Sequence, residues 1–100
     1  MKVWNCFAIA SLYGEVDSTE SYGVFTSRGK ALAVIYKDFQ INKPFTECGY
    51  NYHWELSHDN VYKTLNNEIY QQEITLKNIA SNDEETVCFI ITEEEIDKGV

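Results

Sequence analysis

The chain has 100 residues, 44% of them apolar, and its 16 Asp and Glu against 8 Lys and Arg leave a formal charge of −8. That length supports one hydrophobic core and one domain, 1–100, and the 14% aromatic content marks a folded rather than a disordered chain. An acidic surface repels phosphate backbones and anionic headgroups, which argues against direct nucleic-acid binding and against docking on a membrane.

Residues 2 to 13 are apolar on both strand faces, with Val3, Phe7, Ile9 and Tyr13 on one and Trp4, Cys6, Ala8 and Leu12 on the other. This is the pattern of a central strand covered on both sides. The opening MKVWNCFAIASLYG has a lysine and an apolar run, but Asn5 interrupts the run and leaves it too short for an export signal. No stretch reaches the length of a membrane span. GEVDSTE, 14 to 20, is polar and reads as a turn, and SYGVFTS, 21 to 27, as a second strand that completes a hairpin.

TSRGKALAVIYKDFQINKP follows. Thr26 or Ser27 can cap a helix, and Ala31, Leu32, Ile35 and Phe39 recur at helical spacing, so a helix is predicted over 28–41. Lys43-Pro44 ends it, because a residue before proline avoids the helical region. The segment that begins YGVFTSRGKALAVI, residues 22 to 36, resembles small phage and bacterial one-domain proteins in which a strand ending G-V-F leads through a small polar residue into an alanine-rich helix. The resemblance implies a strand-to-helix junction and a mobile-element origin, and it carries no functional residues.

In YNYHWELS, 50 to 57, Tyr50, Tyr52, Trp54 and Leu56 share one strand face, while Asn51, His53, Glu55 and Ser57 share the other. His58-Asp59-Asn60 reads as a turn. Residues 61 to 79 read as two strands around Asn66-Asn67, although Leu65, Ile69, Leu76 and Ile79 also approach a helical face. ASNDEE is a turn, TVCFIIT an apolar strand, and Thr92 to Glu95 fit a capping box that opens a short helical turn.

Together these elements predict an α+β domain, ordered β-β-α-β-β-β-β, with a mainly antiparallel sheet of five or six strands and one helix on a face. The expected core is Leu32, Ile35 and Phe39 from the helix, with Val3, Phe7, Val24, Phe25, Trp54, Ile74, Phe89 and Ile91 from the strands.

Three cysteines, Cys6, Cys48 and Cys88, are odd in number and form no C-x-x-C pair. That pattern fits neither a disulfide framework nor a structural zinc site, and it points to a reducing, cytoplasmic setting. His53, Glu55 and His58 could grip a metal in principle, but zinc sites draw four close ligands at spacings this stretch lacks, so the favoured reading is a strand and a turn. Cys48 is the cysteine predicted in a loop, with His53 too far along a strand to guarantee activation. Tyr50, Tyr52 and Trp54 could stack a ring, although core packing is the stronger expectation. Phosphate-loop, nucleophile-elbow and H-E-x-x-H motifs are missing. The sequence thus predicts neither an enzyme nor a cofactor.

The remaining signal is charge. Residues 83 to 100 carry a net −6 of the total −8. Such acidity serves either solubility or recognition of a basic protein partner. The recognition reading makes Glu84, Glu85, Glu93, Glu94, Glu95 and Asp97 the candidate protein-binding residues of a small cytoplasmic interaction protein, phage- or prophage-encoded, that modulates another protein. In its extreme form the protein would inhibit a nucleic-acid-binding enzyme. The alternatives are a self-associating structural module that forms a homo-oligomer, and a small-molecule or metal binder using His53, Glu55 and His58.

Overall fold

The computed structural model describes residues 1–41, 54–80 and 82–96. Its elements are β1 (Lys2–Leu12), β2 (Glu15–Phe25), α1 (Arg28–Asp38), β3 (Trp54–Lys63), β4 (Ile69–Asn78) and β5 (Thr86–Glu95). The strands form one five-stranded sheet in the order β2-β1-β5-β4-β3, antiparallel throughout. The fold is α+β, as the residue patterns predict. β5 inserts between β1 and β4, so the last described strand pairs with the first, from Lys2↔Glu95 to Ser11↔Thr86, without a register shift.

The first hairpin is tighter than predicted. Tyr13 and Gly14 both have positive φ, 53° and 81°, as a primed two-residue hairpin turn requires. β2 therefore begins at Glu15, and residues 15–20, expected as a turn, are strand. They escape the usual alternation because β2 is an edge strand whose first seven residues are exposed on both faces.

Ser27 caps α1 with extended backbone (φ −152°, ψ 155°), and its hydroxyl accepts the Lys30 backbone N–H at 3.2 Å. The helix stops at Asp38, three residues short of the predicted end. Gln40 takes φ 52°, while the backbone N–H groups of Gln40 and Ile41 donate to the carbonyls of Lys37 and Tyr36. That left-handed pair of bonds closes the last turn before Lys43-Pro44 is reached.

The core lies between α1 and one sheet face. Cys6 and Ala8 of β1, Ile74 and Leu76 of β4, and Val87, Phe89 and Ile91 of β5 meet Ala31 and Ile35 of the helix. Small residues at Cys6, Ala8 and Ala31 let the helix sit close. Phe89 is fully buried and is met edge-on by Tyr22 and Phe39, with ring centroids at 4.9 and 5.4 Å. Val3 and Trp54 are buried as expected, and Phe25, Leu32 and Phe39 pack against the cluster.

Two expected core residues are not in it. Phe7 is 41% exposed and Val24 62% exposed. The prediction that both faces of β1 are covered is therefore corrected: the helix lies on the Cys6–Ala8 face, and among the described residues no element covers the opposite one.

Two further corrections concern the second half of the chain. His58-Asp59-Asn60 is not a turn, because a register shift at Ser57 lets β3 run on to Lys63, which merges two expected strands into one. Thr92 to Glu95 is strand rather than helical turn, held by pairing of Glu93, Glu94 and Glu95 with Trp4, Val3 and Lys2. The reading of 61–79 as strands around Asn66-Asn67 holds, with Asn67 at φ 64° in the turn.

Candidate interaction surface

The acidic residues singled out in the sequence fall into two groups at opposite ends of β5. Glu84 and Glu85 precede the strand and Glu93, Glu94 and Glu95 finish it, about 30 Å away at the rise of an extended chain. Asp97 lies outside the described residues.

The far group is partly neutralised. The N-terminal ammonium donates to Glu95 Oε1 at 3.1 Å, Lys2 Nζ lies 3.4 Å from Glu93 Oε1, and Asn5 donates to Glu94 Oε1 at 3.4 Å.

The near group gathers more charge. The backbone N–H of Tyr13 donates to the carbonyl of Asp83 at 3.0 Å, and its hydroxyl to Asp83 Oδ1 at 2.7 Å. These bonds tie the β1–β2 turn to the segment before β5, so that Glu15 and Asp17 join Asp83, Glu84 and Glu85 at one end of the sheet. Asn78 fixes Glu85 there, donating to its carboxylate at 3.2 Å and, through its backbone N–H, to its carbonyl at 3.0 Å. The basic side chain in the neighbouring strand pairing is Lys77, opposite Thr86. Sequence reasoning missed Glu15 and Asp17 because they are distant in the chain; a recognised two-residue turn at Tyr13-Gly14 would have exposed the grouping.

Tyrosine hydroxyls recur as donors to carboxylates. Tyr22 donates to Asp38, and Tyr62 donates to Glu73 Oε2 at 3.2 Å. The hydrogen bond to Asp83 holds the Tyr13 phenol above its usual range; burial does so for Tyr22, and the Glu73 charge for Tyr62.

The open sheet face is the second feature. Phe7 pairs with Ile90 and Ile9 with Cys88, and all four side chains point away from the helix. Serine and threonine surround them: Ser11 opposite Thr86, Thr19 opposite Ile9, and Ser21 opposite Phe7. Charge enters this face on β4, with Glu73 opposite Ile90 and Lys77 opposite Thr86.

Compared with protein-family models, curated proteins and solved structures, the chain matches none.

The other candidates separate. His53 lies outside the described residues, as do Cys48, Tyr50 and Tyr52. Glu55 and His58 pair with Lys77 and Thr75 on the open face, on either side of the irregularity at Ser57. Among the described residues no three His, Cys, Asp or Glu side chains are grouped so as to hold a metal. Trp54 is a core residue, 5.0 Å from the Phe39 ring, and offers no stacking platform. The Cys6 thiol is fully buried and burial pushes it up to about 11, so it is not a thiolate near neutral pH. Among the described residues no helix is long and apolar enough to cross a membrane.

Proposed function

We propose that this is a small interaction protein that binds and modulates a partner protein with a basic surface, using the acidic end formed by Glu15, Asp17, Asp83, Glu84 and Glu85. The observation that carries this reading is the junction of Tyr13 with Asp83, which brings carboxylates from two turns together. Carboxylates gathered at one end of the sheet steer a basic partner and favour one orientation of it. The protein works by occupancy rather than by chemistry. A phage or prophage origin accords with the strand-to-helix resemblance, and blocking the basic site of a nucleic-acid-binding enzyme is the sharpest form of the role.

The test compares charge reversals at the two ends of β5. The tagged protein is used to capture partners from host lysate at low and moderate salt. A salt-sensitive basic protein retained by wild type and by Glu93→Lys/Glu94→Lys, but lost on Glu84→Lys/Glu85→Lys, supports the reading. Retention that is indifferent to reversal at the near end sinks it.

A further inference from the structure

We propose that the open sheet face is a symmetric docking surface for a second copy of this chain. The proposal uses a different surface from the acidic end and stands or falls separately.

Size is the first argument. Five strands of ten or eleven residues span roughly 33 by 24 Å, about 800 Å², which is what each partner contributes to a stable complex of ordinary size. Composition is the second. In a chain of charge −8, the open-face residues of β1 and β5 between Asn5 and Ser11, and between Thr86 and Thr92, include no charged side chain. Depletion of charge at the centre, with Phe7 exposed there, is the compositional mark of an interface.

The pattern of rows selects the occupant. Thr75, Cys88 and Ile9 form one row across the sheet. The rows two residues to either side are Glu73, Ile90 and Phe7, and Lys77, Thr86 and Ser11. A two-fold axis along the central row, lying between two facing sheets, superposes one flanking row on the other.

Phe7 of one copy then meets Ser11 of the other, Ile90 meets Thr86, and Glu73 meets Lys77. Large side chains face small ones and the acid faces the base, with every contact made twice, as an isologous interface requires. Glu73 is also held in place for this, accepting from Gln71 at 3.0 Å and from Tyr62 at 3.2 Å. A uniformly basic partner would leave Lys77 facing like charge. The chain's own face does not. The two sheets would stack about 10 Å apart in the aligned manner of a sandwich.

Sedimentation equilibrium of the full chain from about 1 to 100 µM reads the result, because any dissociation constant in or below that range gives a dimer at its upper end. A mass of two chains is expected at the upper end. Phe7→Thr keeps the strand preference and should weaken association about tenfold or more, as loss of a central anchor does. Glu73→Lys and Lys77→Glu should each weaken it, and the double exchange should restore it. Circular dichroism confirms that each variant is folded. A single-chain mass across the range, including a chain that binds some other protein through this face, overturns the proposal; so does a dimer indifferent to Phe7→Thr and to the single reversals.

Discussion

Phe39, the residue that closes α1, stands edge-on to Trp54, the first residue of β3, with ring centroids 5.0 Å apart and ring planes at 88°. The same ring meets Phe89 at 5.4 Å. One side chain thus joins the helix end to the central strand β5 and to the edge strand β3. Phe39→Ala removes both aromatic contacts and opens space beside fully buried Phe89, and should cost about 3 kcal/mol. Phe39→Leu refills most of that space and should cost about 1 kcal/mol. Urea unfolding of both variants checks this, and equal costs would mean that the edge-on ring contacts, not the filled volume, carry the stabilisation.

A second tie runs from the other end of the helix. Arg28 donates to Gln72 Oε1, and Gln72 Nε2 donates to Asp59 Oδ1 at 2.8 Å, linking α1, β4 and β3. Gln72 is only 4% exposed, whereas Asp59 lies on the exposed edge strand. Arg28→Met strands the Gln72 carbonyl away from water, at a cost of about 1–2 kcal/mol. Gln72→Leu removes the buried group itself and leaves Asp59 to solvent, so it should cost less, about 0.5 kcal/mol. The reverse order in denaturant titrations would show that Arg28 is not the group satisfying Gln72.

The sequence discloses the elements that carry one-sided apolar alternation. Ile74 in β4, Phe89 and Ile91 in β5, and Ile35 in the helix behind a Thr26 or Ser27 cap read correctly, because their burial is set by the residue pattern itself. Three features escape. Residues 15–20 look like a loop because an edge strand wet on both faces shows no alternation. Phe7 and Ile9 look like core because an apolar residue reads the same under a helix or on an open face. Glu84 to Glu95 look like one acidic patch because chain proximity hides the length of an extended strand between them. The acidic site was therefore half legible: its carboxylates are visible in sequence, but their division into two ends, and their union with Glu15 and Asp17, follow from pairing alone.

The β3–β4 turn offers a sharp backbone test. Asn67 sits at φ 64°, and its backbone N–H donates to the Thr64 carbonyl at 3.0 Å, while Thr64 donates to the Glu68 carbonyl at 2.8 Å. Asparagine tolerates this left-handed region and alanine does not. Asn67→Ala should destabilise by about 1 kcal/mol, whereas Asn67→Gly should stay within about 0.5 kcal/mol of wild type. Thermal unfolding distinguishes them, and a neutral alanine would mean that the turn relaxes to another geometry.

Alkaline pH should unfold the protein through Cys6. Its thiol is fully buried among Ala8, Ile35 and Phe89, and burial raises it from 9.0 to about 11. The unfolded chain gives up this proton first, so above pH 9 it binds fewer protons than the native state and stability falls with rising pH. The contribution is fully present below pH 9 and is lost as pH climbs through about 11. Over that interval the loss is on the order of 2–3 kcal/mol, from about 1.4 kcal/mol for each pH unit of displacement. Tyr22, also raised by burial and by its bond to Asp38, pushes in the same direction at higher pH. Cys6→Ala should start less stable at pH 7, by about 1 kcal/mol for the lost packing. It should then lose less stability than wild type between pH 8 and 10.5, so the two curves converge. Urea titrations at those two pH values decide it: parallel curves would mean that the thiol reaches water in the native state and that its burial does not govern alkaline stability.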